Sequence, residues 1–124
     1  MAAEGDPMTK DRFRFRVYLE SEHRMLYSEA WDEVLWPQAA RWAQEGLLMQ
    51  ATGLKDTQGQ DIFEGDIVEV YNTYKEECFK GAVHFNNGSY FIRKDDLTSH
   101  SRFINYEMRV IGNVFETPKL LIQE

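Results

Sequence analysis

The chain has 124 residues, of which 43% are hydrophobic and 14% aromatic, and its 21 acidic and 14 basic residues give a net charge of −7. This length suits one domain with one core, and the apolar content excludes a disordered chain. No apolar run approaches the roughly 20 residues of a membrane helix, and we expect no secretory leader, since no charged and then apolar stretch is found near residue 1. The single cysteine, Cys78, cannot form an internal disulfide, so we expect a cytoplasmic protein.

The excess of acidic over basic residues is confined to the first part of the chain. Residues 1–72 carry 7 Lys/Arg and 14 Asp/Glu, whereas residues 73–124 carry 7 of each. Binding to a nucleic-acid backbone needs clustered cations, so this balance disfavours it. An acidic region instead suits a partner with a basic surface.

The first predicted elements are a tail and a strand. Residues 1–11 have no apolar periodicity and indicate a flexible N-terminal tail, which leaves residues 12–124 as a single domain. From residue 12, apolar and polar residues alternate, which predicts a strand with one face on the core and the other toward water. The inward residues are Phe13, Phe15, Val17 and Leu19. The outward residues are Arg12, Arg14, Arg16 and Tyr18.

The next segment, residues 20–46, is acidic and aromatic. Residues 20–36 have no strand periodicity and are predicted to be irregular. A short helix is predicted over residues 37–45, because Pro37 suits the first helical position and Gly46 suits the position that follows a helix.

The rest of the chain alternates between short strands and turns. Strands are predicted at residues 47–52, 62–63, 66–71, 79–85, 89–93 and 109–116. The Asn87-Gly88 pair predicts a hairpin, and Gly112 predicts a bulge. About seven strands and one short helix predict a mostly β fold, either a small antiparallel β-barrel of SH3-like character or a strongly bent sheet.

Two segments, MQATGLKDTQGQDIFEGDIV at 49–68 and VIGNVFETPKLL at 110–121, resemble the signatures of YopX-like phage and prophage proteins. RFRVYL at 14–19 is similar to a divergent form of that family's opening strand, with Tyr-Leu where the family usually has Trp-Asp. The resemblance implies a small, mostly β protein encoded by a phage or an integrated element, and it provides no catalytic residues that could be assigned to this chain. Residues 20–46 lie outside it as a variable insert, so partner specificity located there cannot be inherited from relatives.

Four carboxylates lie close together in the first of these segments: Asp56, Asp61, Glu64 and Asp66. A calcium loop would place ligands at Asp56, Gln58 and Gln60, but two of these are neutral amides and Gly59 is out of phase with the known pattern. Alternatively, an Asp before a glycine-containing turn accepts a backbone hydrogen bond from two residues further on. We therefore predict a structural turn, with no metal and no other cofactor.

The residues that perform nucleophilic chemistry are sparse. Cys78 lies beside Glu76 and Glu77, whose negative charge disfavours a thiolate nucleophile. The three histidines are scattered and have no zinc-ligand spacing. We therefore predict a protein that is not an enzyme.

The basic face of the first strand allows two interpretations. Arg12, Arg14, Arg16 and Tyr18 could bind single-stranded nucleic acid, with the arginines on phosphates and the tyrosine stacked on a base. Alternatively, the arginines pair with carboxylates, which the chain has in excess. We favour the pairing.

Residues 20–46 are interpreted either as a docking surface or as a cap on an open end of the barrel. The predicted partner-binding residues are Glu20, Glu22, Tyr27, Glu29, Trp31, Asp32, Glu33, Trp36 and Trp42. Tryptophan and tyrosine dominate interface hot spots, and an acidic rim steers basic partners. All three tryptophans of the chain fall in this segment, which favours a docking surface.

These observations lead to one expected function and two alternatives. We expect a phage or prophage accessory protein that binds a bacterial host protein, for example a basic defence or nucleic-acid-handling component that it inhibits as anti-CRISPR proteins do. The alternatives are the nucleic-acid-binding barrel and an oligomeric structural protein built by edge-strand pairing.

Overall fold

The structure, a computed structural model, describes residues 13–72, 76–86, 88–94, 100–102 and 106–121. In this part of the chain the elements are β1 (Phe15–Leu19), β2 (Arg24–Tyr27), α1 (Ala39–Gln44), β3 (Leu48–Lys55), β4 (Asp61–Phe63), β5 (Asp66–Asn72), β6 (Glu77–Asn86), β7 (Ser89–Lys94), β8 (His100–Arg102) and β9 (Tyr106–Asn113). Short 3-10 turns occupy Glu20–Glu22, Ser28–Ala30, Trp36–Gln38 and Pro118–Leu121. The predicted tail at 1–11 and Arg12 lie outside the described residues.

The strands form two antiparallel sheets, with the order β2-β1-β3-β4 in the first and β8-β7-β6-β5-β9 in the second. The mostly β fold with one short helix is therefore confirmed. The described residues contain nine strands, because β2 and β8 add to the seven that were predicted. Both are short outer strands, and each is held by pairing with its neighbour, β2 with β1 and β8 with β7. Their own sequences did not predict a strand.

Local turn chemistry places several of these elements. Asn86 pairs with Ser89 across the predicted Asn-Gly hairpin. Ile67 pairs with Gly112 and Val68 pairs with Val110, so one extra residue is inserted in β9 at the predicted bulge. Gly46 has a φ of 75°, as expected for the residue after a helix.

The N-terminal strand differs from its prediction at its start. β1 begins at Phe15, so Phe13 precedes the strand and is 65% exposed, whereas we predicted it to face the core. The strand is also buried on both faces. Val17 lies in a core cluster with Leu26, while the neighbouring Arg16 is only 2% exposed. The prediction that Arg16 faces water is wrong, because Asp66 of the second sheet lies against that face.

The second core lies on the inner face of the second sheet. It consists of Ile62, Val68, Val70, Val83, Ile92 and Met108. Ile62 belongs to β4 of the first sheet, so this strand inserts a side chain into the core of the other sheet. The two sheets therefore share buried apolar surface as well as the contact between Arg16 and Asp66.

The loop between β3 and β4 covers part of the outer edge of β9. The backbone N–H of Thr57 donates to the carbonyl of Met108 at 2.9 Å. The N–H of Val110 donates to Oδ2 of Asp56, also at 2.9 Å. Unpaired edge groups invite pairing with another chain, and this loop satisfies two of them internally.

Close packing between β6 and β7 generates a stability prediction. A Cβ added at Gly81 would lie 2.6 Å from Cγ2 of Ile92 and 2.7 Å from the carbonyl oxygen of Arg93. We expect Gly81→Ala to lower the free energy of unfolding by about 1–3 kcal/mol, the usual range for overpacking. Urea denaturation followed by tryptophan fluorescence measures this. Glu77→Ala, at an exposed position of the same strand, is the control and should change stability by less than about 0.5 kcal/mol; equal effects would contradict the prediction.

Candidate docking surface

Three tryptophan rings form a row on the face of the first sheet that packs against α1. The ring centroids of Trp42 and Trp31 are 5.2 Å apart, and those of Trp31 and Trp36 are 4.8 Å apart. Trp31 and Trp42 are buried in the cluster with Val17, whereas Trp36 is 44% exposed. Trp31 and Trp42 therefore cover the core, in line with the interpretation of this segment as a cap. Of the three tryptophans, only Trp36 has a large exposed ring.

The chain before α1 holds Trp36 in place. Oδ1 of Asp32 accepts the backbone N–H groups of Val34 and Leu35, each at 3.0 Å. The N–H of Trp36 donates to the Asp32 carbonyl at 3.0 Å. The Trp36 ring also meets the ring of Phe15 edge to face, with centroids 6.5 Å apart. We call the exposed group Asp32, Glu33, Val34 and Trp36 the Trp36 surface, and Val34 is its most exposed apolar member at 68%.

The predicted acidic residues differ in how they are engaged. Glu22 pairs with Arg24 at 2.8 Å, and Glu29 pairs with Arg14. Glu20 and Glu33 are exposed and form no ion pair among the residues that the structure describes. Their charge is therefore available to a partner.

Tyr27 is separated from the tryptophans. It pairs with Arg16 in the register of β1 and β2, and so shares a sheet face with that residue. Its ring meets Phe63 at a centroid distance of 5.6 Å. Phe15, the strand neighbour that contacts Trp36, points to the opposite face because successive strand residues alternate. The structure therefore divides the predicted partner-binding residues between two faces of the first sheet.

Arg14, just before β1, and Arg16, within it, are paired with carboxylates, as we favoured from the sequence. Arg14 contacts both Glu29 and Asp61. Arg16 is paired with Asp66 in the interior. Tyr18 stacks on Phe115 with centroids 5.3 Å apart. Binding of nucleic acid by this face stays a prediction, but the pairing leaves little uncompensated positive charge for phosphates.

Among the central carboxylates, Asp56 organises the turn after β3. Its Oδ1 accepts the N–H groups of Gln58 and Gln60, each at 2.9 Å, and its Oδ2 accepts the N–H of Val110. Burial is the largest single influence on the pKa of Asp56 and raises it. The backbone donors and Arg109 together outweigh burial, so the pKa lies below its ordinary value. The predicted structural turn is confirmed.

Asp66 forms the buried connection between the sheets. Its Oδ1 lies 2.9 Å from Nη2 of Arg16, and both side chains are 3% exposed. Its Oδ2 accepts the N–H of Phe63 at 2.8 Å, while Nη2 of Arg16 also donates to the carbonyl of Glu64 at 3.0 Å. Burial raises the pKa of Asp66 above its ordinary value, although Arg16 acts in the opposite direction.

The two remaining carboxylates of this segment are also engaged within the chain. Oε1 of Glu64 accepts the N–H of Gln50 at 2.8 Å, and burial raises the pKa of Glu64. Asp61 pairs with Arg14 and with Lys55. Within the described residues no three Asp, Glu, His or Cys side chains converge as metal ligands would. No helix in that part of the chain has the length and apolar character to cross a membrane.

The sequence did not single out Val34 and Glu45 as surface residues. The sequence around Val34 does not predict that this side chain is exposed, because its exposure follows from the turn that Asp32 forms. Glu45 follows α1 and lines a groove to which Phe115 also contributes. Glu45 and Phe115 are far apart in the sequence, and only the tertiary structure places both of them in the same groove.

Comparisons with known proteins agree with this architecture. The sequence model of the family described as YopX protein matches residues 16–122. The structure is similar to protein EF1440 from Enterococcus faecalis, with 24% identity, a TM-score of 0.53, and coverage of 88% of this chain and 97% of that chain. It is also similar to protein YopX from Bacillus subtilis, with 18% identity, a TM-score of 0.58, and coverage of 91% and 98%. These identities show a shared fold, and no curated protein gives a significant match.

The contacts of Asp56 predict a pH-dependent contribution to stability. We expect Asp56→Asn to lower the free energy of unfolding by about 1–3 kcal/mol near neutral pH, since charge-assisted bonds to backbone donors are weakened. A folded-state pKa below the ordinary value means that this contribution is present above about pH 4 and is lost as the pH falls further. Denaturant titrations at several pH values measure the difference between the two proteins. A difference that stays constant into acid contradicts the assignment, and Glu33→Gln serves as the control.

The pair of Arg16 and Asp66 predicts strong coupling between two mutations. We expect Arg16→Met to lower the free energy of unfolding by about 3–5 kcal/mol, because it leaves a buried carboxylate without its partner. Arg16→Met/Asp66→Asn should cost at least about 1 kcal/mol less than the two single changes added together. A raised carboxyl pKa favours the folded state at low pH and loses that effect as the pH rises, so the defect of Arg16→Met should shrink on acidification. Additive, pH-independent effects in urea denaturation would refute the coupling.

Proposed function

We propose that this chain, which belongs to the YopX family, is a non-enzymatic phage or prophage accessory protein that binds a basic surface of a bacterial host protein. The observation that carries the proposal is the Trp36 surface. It combines a large exposed aromatic ring with negative charge that forms no ion pair among the described residues, on a locally ordered turn.

The geometry of Trp36 supports a role as an interface anchor. Tryptophan is among the residues enriched at hot spots, where burial of one ring accounts for a large share of the binding free energy. The contacts with Trp31 and Phe15 restrain the ring before any partner arrives. A restrained anchor loses less conformational entropy on binding than a mobile one.

The charge distribution supports a basic partner. Asp32 and Glu33 lie beside Trp36, and the whole chain carries a net charge of −7. Attraction between opposite charges accelerates the encounter with a basic partner, and repulsion between like charges disfavours binding to an acidic surface. A host protein that handles nucleic acid has a basic groove for phosphates, and an acidic chain that occupies this groove would compete with the nucleic acid. Inhibition of a host defence or nucleic-acid-handling component is therefore the form of the proposal that the charge favours.

The test compares matched exposed aromatics. The wild-type chain, Trp36→Ala and Phe85→Ala are immobilised and exposed to host lysate, and each captured protein is then purified for binary binding measurements. Phe85 is 51% exposed on β6 of the second sheet, so it matches Trp36 in exposure but lies elsewhere. We expect Trp36→Ala to weaken the dissociation constant at least about tenfold, or 1.4 kcal/mol, and Phe85→Ala to leave it nearly unchanged.

The same binary complex tests the electrostatic part. Its association rate should fall as salt rises, because the Debye length shortens to about 8 Å at physiological ionic strength. The chain should also displace an oligonucleotide from the captured protein. Equal binding by the wild type and Trp36→Ala, or a partner with an acidic surface, would refute the proposal.

A further inference from the structure

A preformed groove lies between β1, α1 and the turn after β9. We call it the Trp42 groove and define it by Leu19, Glu20, Trp42, Glu45 and Phe115; its volume is about 240 Å³. Its apolar lining includes the buried ring of Trp42 and the side chain of Leu19. Phe115 forms a wall through its stack on a β1 tyrosine. The groove therefore exists without any rearrangement of the described residues.

Two acidic side chains stand among the residues that line this apolar cavity. Glu20 and Glu45 are exposed, and neither forms an ion pair within the described part of the chain. The one cation of the lining, Arg41, donates from Nη2 to Oε1 of Gln38 at 2.6 Å. The carboxylates thus exceed the local positive charge, and they have no fixed partner.

This combination selects one kind of occupant. A lysine or arginine side chain can lay its methylene stem along an apolar surface while its charged end stays near carboxylates and water. A carboxylate would be repelled by Glu20 and Glu45, and a neutral apolar side chain would remove water from those two groups without compensation.

The Trp42 groove is connected to the Trp36 surface through the buried ring of Trp31. Trp31 contacts both Trp42 and Trp36, so the three rings link the groove to the exposed anchor along one face of the first sheet. We propose that the Trp42 groove binds a lysine or arginine side chain of the same basic host protein whose surface meets Trp36. This inference rests on the proposed function and adds to it the residue type that the partner must contribute.

A small probe tests the groove without the unidentified partner. The full chain, labelled with ¹⁵N, is titrated with Nα-acetyl-arginine methylamide, and Nα-acetyl-norleucine methylamide serves as the neutral probe. We expect saturable shifts of the Trp42 indole N–H and of the Phe115 amide with the arginine probe, and weaker binding of norleucine. Glu20→Gln/Glu45→Gln should weaken arginine binding about fivefold or more. The control Glu77→Gln/Glu107→Gln makes the same change in net charge on the second sheet, outside the groove, and should leave binding nearly unchanged.

Several outcomes overturn the inference. These are the absence of localised shifts, equal binding of the two probes, or equal loss in both double variants, which would indicate general attraction to an acidic chain. All four carboxylates are exposed, and thermal denaturation of each variant confirms that it folds.

The host complex separates this inference from the proposed function. If Trp36→Ala weakens the complex and Glu20→Gln/Glu45→Gln does not, the groove is refuted and the proposed function stands. If Trp36→Ala has no effect on capture while the groove still selects arginine, the proposed function is refuted, and with it the assignment of the groove to that partner.

Discussion

The buried ion pair between Arg16 and Asp66 is the contact on which the arrangement of the two sheets depends. Taking two charges out of water costs several kcal/mol for each ion, and only well-directed partners compensate for it. Here the Arg16 guanidinium also donates to the Glu64 carbonyl and lies over the ring of Phe63, 4.8 Å from its centroid. Asp66 accepts a backbone hydrogen bond in addition. Such directional contacts tolerate little displacement, so they define how β1 meets the start of β5.

This contact also decides which face of the first sheet can carry the proposed docking surface. One face of β1 is covered by the second sheet through Arg16, so the other face must be covered by different side chains. Trp31 and Trp42 do this together with α1, and Trp36 continues their row to the surface. Two of the three tryptophans of residues 20–46 are therefore core residues, and the proposed recognition depends on the exposed ring of Trp36.

Acidic side chains have two distinct uses in this fold. Between β3 and β5, Asp56, Glu64 and Asp66 accept hydrogen bonds from backbone N–H groups, and Asp56 in this way ties a loop to the edge of β9. In residues 20–46, the side chains of Glu20 and Glu33 accept no such hydrogen bond among the described residues. The central acids therefore all build the structure, whereas residues 20–46 contain both a structural acid, Asp32, and acids whose charge has no ion-pair partner among the described residues. This contrast is the reason to look for a basic partner at the second segment and not at the first.

The sequence by itself determined the features that arise from contacts between near neighbours. The alternation in β1, the Asn-Gly hairpin, the bulge at Gly112 and the Asp56 turn all depend on backbone preferences within a few residues. The tertiary structure decided that Arg16 is buried, that Trp31 and Trp42 are core residues while Trp36 is not, and that Phe115 and Glu45 line the same groove. Burial depends on which distant element covers a strand face, and alternation along one strand cannot report whether its polar face meets water or a second sheet.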